Sequence, residues 1–124
     1  MSNPHIVVPQ IVADQSFLNQ TAAIPQTSIL PASATGEYRI SFYGATANTS
    51  VSSAVNVTLF WTDEFGVHNN KQSLVAPVNI GNPITYLAGV NFFVHALIGT
   101  DLAFSTELTL GSITYDLYLK VEQF

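Results

Sequence analysis

The sequence predicts an all-β fold, a single-domain antiparallel β-sandwich of the jelly-roll type. The first observation is that apolar and polar side chains alternate strictly over residues 113–122. Alternation with a period of two puts one set of side chains on a buried face and the other in solvent. The second is that turn-forming residues recur about every eight to twelve residues, and the third is that no stretch shows helical spacing of apolar residues. About six to eight short strands of this kind favour a sandwich or small barrel, and we prefer a jelly roll over an immunoglobulin-like order.

Residues 1–13 are predicted to form an extended arm ahead of a β-sandwich domain that spans residues 14–124. Pro4 and Pro9 lie in this segment, and proline favours extended backbone while excluding central strand positions. The apolar side chains of the arm are expected to lie along a surface of this chain or of a neighbouring subunit: Ile6, Val7, Val8, Ile11 and Val12. The alternative is a flexible terminus. The segment has no basic start followed by a long apolar run, so it does not predict a signal peptide.

Residues 17–30 are interrupted by Pro25 and closed by Pro31, which predicts one edge strand or two short strands. A clear strand then begins at Gly36 and ends in the small and polar residues 44–53, which form a loop by composition.

The second half of the chain alternates strands with turns in the same way. A strand from residue 55 reaches a short turn at residues 62–66, where Gly66 suits a left-handed backbone position. The return strand, residues 67–75, is the most polar and is predicted to lie at a sheet edge. The remaining segments are, in order, a loop at 76–83, a strand at 90–98, a turn at 99–101, a strand at 102–108 and the final strand after Gly111 and Ser112.

One side of each predicted strand is expected to face the core. This inward set is Tyr38, Ile40, Phe42, Val55, Val57, Leu59, Trp61, Val90, Phe92, Val94, Ala96, Ile98, Leu102, Phe104, Thr106, Leu108, Ile113, Tyr115, Leu117, Leu119 and Val121. Five large side chains point the other way: Tyr43, Phe60, Phe93, Leu97 and Tyr118. Contiguous apolar patches mark interaction sites, so we predict that these five form the interface of a homo-oligomer. The alternative is that loops and the arm cover them within one domain.

The composition favours contact with other protein. Hydrophobic residues make up 48% of the chain and charged residues only 9%, so charge repulsion between copies is weak. The net charge is −5, with three basic residues dispersed along the chain, which argues against binding to nucleic acid or to anionic lipid. No apolar stretch approaches the ~20 residues of a membrane-spanning helix. The chain has no cysteine, which excludes disulfides and thiolate chemistry.

No residue pattern predicts catalysis, a metal or a cofactor. His5, His68 and His95 lack the close spacing of zinc ligands, although the last two could meet across strands. Asp63 and Glu64 are adjacent at a turn, where such carboxylates usually diverge into water. No pair stands out among the other carboxylates, and the chain has neither a nucleophile elbow nor a phosphate-binding glycine loop.

Trp61 has two interpretations. Together with Tyr43 and Tyr118 it could form a stacking platform for sugar rings, as in a carbohydrate-binding sandwich. Because Trp61 shares a strand face with Val57 and Leu59, a place in the core is the favoured interpretation.

Four stretches carry a resemblance to a known class of proteins. They are Gly36-Glu-Tyr-Arg-Ile-Ser-Phe-Tyr43, the run Val57–Gly66 with its Trp-Thr-Asp turn, the hairpin Gly99-Thr100, and Tyr115-Asp-Leu-Tyr-Leu-Lys-Val-Glu122. Over residues 27–124 this order resembles small β-sandwich structural proteins, jelly-roll or TNF-like, of tailed phages and prophages.

This resemblance implies a non-enzymatic virion component, most specifically a capsid decoration or cement protein. It implies a trimer that binds the major capsid protein or another virion protein and assembles in the host cytoplasm, with no cofactor and no catalytic residues. The arm of residues 1–13 has no counterpart in the resemblance and is the segment we expect to reach the capsid or a neighbour. The alternative function is a carbohydrate-binding or receptor-binding module of a fibre or adhesin.

Overall fold

The computed structural model describes residues 8–47, 54–75, 86–108 and 113–124. These residues form antiparallel strands and no helix, and so include no helical segment suited to crossing a membrane. The strands are β1 (Gln10–Gln20), β2 (Thr27–Pro31), β3 (Gly36–Ala47), β4 (Val55–Asp63), β5 (Gly66–Val75), β6 (Tyr86–Ala96), β7 (Asp101–Leu108) and β8 (Thr114–Gln123).

The strands pair into two sheets of four. The first sheet has the order β1-β8-β3-β6 and the second has the order β2-β7-β4-β5. Every connection except the β4–β5 hairpin passes from one sheet to the other, which is the arrangement of a jelly roll with two Greek keys. The predicted fold class is confirmed.

The core fills the space between the two inner sheet faces. Phe42 of the first sheet meets Phe104 of the second with ring centroids 5.6 Å apart, and Phe17 of β1 lies 5.3 Å from the Phe104 ring. Nearly all of the predicted inward set is buried, while Trp61, Val90 and Leu108 are partly buried against the core. Ile98 is the exception. It is 65% exposed because β6 ends at Ala96 and the chain turns at Gly99, whose φ is +79°.

The edges of the sheets follow the polar and proline-containing segments. The polar strand β5 lies at an edge of the second sheet, as predicted. The segment before Gly36 forms two edge strands, β1 in the first sheet and β2 in the second. The β4–β5 hairpin turns at residues 64–65, and the following Gly66 has a φ of +114°, which confirms the predicted positive-φ glycine.

The first strand begins earlier than the sequence indicates. The predicted arm extends to residue 13, but β1 starts at Gln10 because β8 offers it an antiparallel ladder. Ile11 pairs with Glu122, and Val12 packs against the core. Pro9 precedes the strand, where its missing N–H removes no ladder hydrogen bond. Ile6 and Val7 lie outside the described residues.

A buried hydrogen-bond network ties three parts of the fold together. The backbone N–H of Ile24 donates to Thr106 Oγ1 at 2.7 Å, and the Thr106 hydroxyl lies 2.9 Å from the Tyr115 hydroxyl. Tyr115 in turn donates to the carbonyl of Ala22 at 2.8 Å. Burial raises the pKa of Tyr115. The segment between β1 and β2 is thereby fixed to β7 and β8.

Tyr115→Phe is expected to lower the free energy of unfolding by about 1–2 kcal/mol, because it leaves the Ala22 carbonyl without its donor. Equilibrium unfolding in urea measures this change. Tyr43→Phe, at an exposed tyrosine, is the matched control and should stay within about 0.5 kcal/mol of the parent. Equal losses in the two variants would contradict the role of the network.

Deletion of residues 1–13 is expected to lower the melting temperature relative to deletion of residues 1–9. The longer deletion removes the pairs Gln10↔Gln123, Ile11↔Glu122 and Ala13↔Val121 from the first sheet, whereas the shorter one leaves β1 whole. Thermal unfolding followed by circular dichroism compares the two chains. Identical melting temperatures would show that the start of β1 contributes nothing to stability.

Candidate binding surfaces

The five predicted interface residues do not form one patch. Tyr43, Phe93 and Tyr118 are 43%, 63% and 39% exposed on the outer face of the first sheet. Phe60 is half-buried on the second sheet, and Leu97 is half-buried between β6 and β7, where its N–H donates to the Thr62 carbonyl. Strand alternation identified the exposed positions of Tyr43, Phe93 and Tyr118, but Leu97 lies beyond the end of β6, and alternation could not assign the residues to a sheet. Their role as a subunit interface stays a prediction.

The outer sides of the two sheets differ in exposure. Thr58 and Ala103 share the outer side of the second sheet with Phe60, yet they are only 7% and 3% exposed. Exposed aromatic side chains on the strands lie instead on the first sheet. That sheet carries two adjoining surfaces.

The first surface is the Phe93 patch, made of Phe93, Phe124, Arg39, Glu122 and Ile11. The rings of Phe93 and Phe124 meet edge to face with centroids 5.4 Å apart, and the Arg39 guanidinium lies 5.4 Å from the Phe124 centroid. Glu122 accepts three hydrogen bonds from Arg39, one from Nε at 3.0 Å and two from Nη2 at 2.9 Å, which orients the guanidinium. This hydrogen bonding raises the pKa of Arg39 and lowers that of Glu122. Ile11 is 61% exposed and pairs with Glu122, so it extends the patch to β1.

The second surface is the tyrosine groove, a cavity of about 490 Å³. Its lining residues are Asp14, Ser41, Phe42, Tyr43, Gly89, Val90, Asn91, Tyr118, Leu119 and Lys120. Tyr43 and Tyr118 are paired across β3 and β8, with ring centroids 6.1 Å apart and planes inclined by 48°. Gly89 pairs with Tyr43 on the other side and contributes no side chain, which leaves open space beside the Tyr43 ring.

A polar row borders the two tyrosines. The row crosses all four strands of the first sheet, and its register partners are Asp14 on β1, Lys120 on β8, Ser41 on β3 and Asn91 on β6. On β8, β3 and β6 it lies two residues from the row that contains Tyr118, Tyr43 and Gly89. Lys120 Nζ lies 4.0 Å from Asp14 Oδ2, and both side chains are about half exposed. The groove therefore combines aromatic surface with donors and acceptors of both charges.

The histidines bind carboxylates on the side of the molecule where the β4–β5 hairpin meets β6. His95 Nε2 lies 2.8 Å from Glu64 Oε1, and its Nδ1 lies 3.3 Å from Glu37 Oε1. His68 Nε2 lies 2.7 Å from Asp63 Oδ1, which also accepts the Phe65 N–H. The hydrogen bond from the Phe65 N–H is the main reason that the pKa of Asp63 is lowered.

The two histidines do not share a ligand set. Within residues 8–47, 54–75, 86–108 and 113–124, no three side chains of the metal-binding types are grouped to hold an ion. His5 lies outside these ranges. Asp63 and Glu64 were expected to extend into water, but each pairs with a histidine. Asp63 pairs with His68 within the hairpin, and Glu64 pairs with His95 of β6.

Trp61 does not join the tyrosines. It lies on β4 of the second sheet, partly buried against the core, and its ring is 5.5 Å from that of His68. Tyr43 and Tyr118 are on the first sheet, so the three-residue platform considered from the sequence does not form. Trp61 faces the core, as the sequence favoured, but is only partly buried there.

The sequence does not predict the neighbours of several groove and patch residues. Asn91 and Lys120 share strand faces with Phe93 and Tyr118, so alternation alone identifies them as outward-facing. Nothing in the sequence predicts that they lie beside Asp14 or that Gly89 lines a groove. Those contacts depend on the strand order.

Comparisons with known proteins identify the fold. No family model and no curated protein matches the chain. Among solved structures, the VP2 subviral particle of infectious bursal disease virus is 12% identical over 93% of this chain and 32% of that chain, with a TM-score of 0.50. The Gt strain of that virus matches with 11% identity over 98% of this chain and 35% of that chain, at a TM-score of 0.51. The Eiger TNF from S. frugiperda is 15% identical over 92% of both chains, at a TM-score of 0.42.

The chain spans about a third of the length of the two viral chains that it matches. At these identities the similarity shows a shared jelly-roll-like β-sandwich and nothing finer.

The stability of the protein is expected to depend on pH through His95. Hydrogen bonds to Glu37 and Glu64 raise its pKa above 6.5, so the folded state binds the proton more tightly than the unfolded state. The stabilisation is full below pH 6.5 and is lost as the pH rises through the raised folded-state value. Calorimetric melting temperatures of the parent and of His95→Gln should therefore converge as the pH is raised from about 6. A difference that stays constant with pH would contradict this role.

Proposed function

We propose that this chain is a non-enzymatic structural protein of a virion, most specifically a capsid decoration or cement protein. It self-associates as a trimer and binds the major capsid protein. The observation that carries the proposal is the Phe93 patch, where two aromatic rings in contact lie on the open outer face of a sheet, 63% and 38% exposed.

The chemistry of the Phe93 patch suits a protein–protein contact. Aromatic residues and arginine are enriched at the centres of interfaces, and here Phe93, Phe124 and Arg39 are held together before any partner arrives. Covering the exposed part of Phe93 would contribute about 1–2 kcal/mol per copy. A net charge of −5 on a chain with only 9% charged residues opposes close approach of copies weakly.

The start of the chain extends this surface. Val8 and Ile11 are 69% and 61% exposed, and Ile11 lies in the same cross-strand row as Phe93 through Glu122 and Arg39. We propose that residues 1–9, which precede β1, continue from this end of the sheet onto the capsid or a neighbouring subunit, with Ile6 and Val7 among the contacts.

Two further facts support a virion location. The first is that the segments of residues 27–124 that resemble phage structural proteins form strands and turns in the structure. The second is that the viral particle proteins described above have a similar fold. Virion location and assembly in the host cytoplasm are parts of this proposal.

Phe93→Lys is expected to dissociate the oligomer, because it places a charge where two apolar surfaces meet. Light scattering should give about three times the 13.4 kDa chain mass for the parent protein and a single chain mass for the variant. Phe65→Lys is the matched control, since Phe65 is 91% exposed at the β4–β5 turn, away from the patch. Circular dichroism verifies that both variants fold.

A parent protein that stays monomeric at all concentrations would refute self-association, and equal dissociation of both variants would remove the Phe93 patch from it. The virion location is tested separately by mass spectrometry of particles purified on density gradients from the source culture. Peptides of this chain should occur in a fixed ratio to the major capsid protein, and their absence would contradict the proposal.

A further inference from the structure

We propose that the tyrosine groove is a binding site for a neutral saccharide. The site lies on the same sheet face as the Phe93 patch but shares none of its residues. The two proposals rest on different residues, so either can fail while the other stands.

The two tyrosines supply the stacking surface. A pyranose ring has an apolar C–H face and hydroxyl groups around its edge. It can therefore stack on an exposed aromatic ring and form hydrogen bonds with the hydroxyl group of a tyrosine. Tyr43 and Tyr118 are 43% and 39% exposed, and neither ring covers the other, because their planes are inclined by 48° at a centroid distance of 6.1 Å. Both rings thus remain available to a ligand.

The polar row supplies the hydrogen bonds. Sugar hydroxyls donate and accept at the same atom, and the row offers an acceptor-only carboxylate at Asp14, a donor-only ammonium at Lys120, and mixed groups at Ser41 and Asn91. The charges of Asp14 and Lys120 cancel, which favours an uncharged ligand. Their separation of 4.0 Å contrasts with the 2.7 Å between Lys71 and Glu107, so the groups in the groove keep capacity for a ligand.

The shape of the groove fits a short oligosaccharide. Its volume of about 490 Å³ lies within the range of small-molecule sites. The polar row crosses four strands, a width of about 14 Å at the usual strand spacing. Gly89 keeps the β6 side of the groove open, since any larger residue at this exposed position would project beside the Tyr43 ring.

A second copy of the chain suits this surface less well than a saccharide does. The Phe93 patch joins aromatic and aliphatic side chains to one ion pair whose two members already bind each other. The groove is lined by four polar or charged residues beside its apolar surface, Asp14, Ser41, Asn91 and Lys120, and the two charged ones are only loosely paired. Polar groups buried against a protein partner need matching partners of their own, whereas a saccharide brings hydroxyls at every ring.

Binding is tested on a glycan array of neutral gluco-, manno- and galacto-oligosaccharides, with heparin-derived oligosaccharides as the charged comparison. Calorimetry then gives the affinity for the strongest neutral ligand. Tyr43→Ala and Tyr118→Ala should each weaken binding about tenfold or more by loss of stacking. Tyr43→Phe should retain most of the affinity.

Two further variants separate the groove from folding and from oligomerisation. Gly89→Leu should abolish binding by filling the groove while leaving every groove side chain in place. It is expected to fold, because a Cβ at this position would lie 3.5 Å from the Phe42 carbonyl oxygen, an ordinary contact. Phe93→Ala removes an even more exposed aromatic residue from the same face and should bind the saccharide as the parent does.

Three outcomes would overturn the inference. They are the absence of binding to any neutral oligosaccharide in the low millimolar range, full binding by folded Gly89→Leu, and a preference for heparin-derived over neutral oligosaccharides. A change of oligomer mass in Tyr43→Ala or Gly89→Leu, without any saccharide binding by the parent, would instead assign the groove to a second copy of the chain.

Discussion

Strand β8 is the element on which the rest of the structure depends, because a central strand must pair on both sides while burying one face. It pairs with β1 and β3 and buries Tyr115, Leu117 and Leu119, each with at most 1% of its surface exposed. Through the Tyr115 hydroxyl it also fixes the segment after β1 and contacts Thr106 of β7. The two sheets and their first connection are thus linked at a single buried side chain.

The outer face of β8 organises the proposed functions. Glu122 orients Arg39 in the Phe93 patch, Lys120 belongs to the polar row, and Tyr118 lies beside Tyr43 in the groove. These side chains occur at successive outward positions of one strand, so the Phe93 patch directly adjoins the polar row of the groove. The second sheet is less open, because Thr58 and Ala103 on its outer side are buried.

Much of the fold was predictable because period-two alternation is a local property of the chain. It assigned the inward residues of β3, β4 and β8 and indicated the polar edge strand β5. It failed at several strand boundaries, where local sequence competes with tertiary pairing; β3 continues to Ala47 through the start of the predicted loop 44–53, and β6 begins at Tyr86 rather than at residue 90. Ile98 continues the alternation of β6 but leaves the strand at the Gly99 turn, and Gln10 to Ala13 have no alternation of their own yet join β8.

The sequence by itself determined the fold class, the strand faces and a surface poor in charge. Only the tertiary structure decided which outward residues are neighbours, since these contacts join residues far apart in the chain. Arg39 meets Glu122, and Tyr43 lies between Tyr118 and Gly89, because β3 is placed between β8 and β6. In an immunoglobulin-like order the same strands would keep the same faces but different neighbours. Strand order is set by the packing of the whole core, and local patterns carry no record of it.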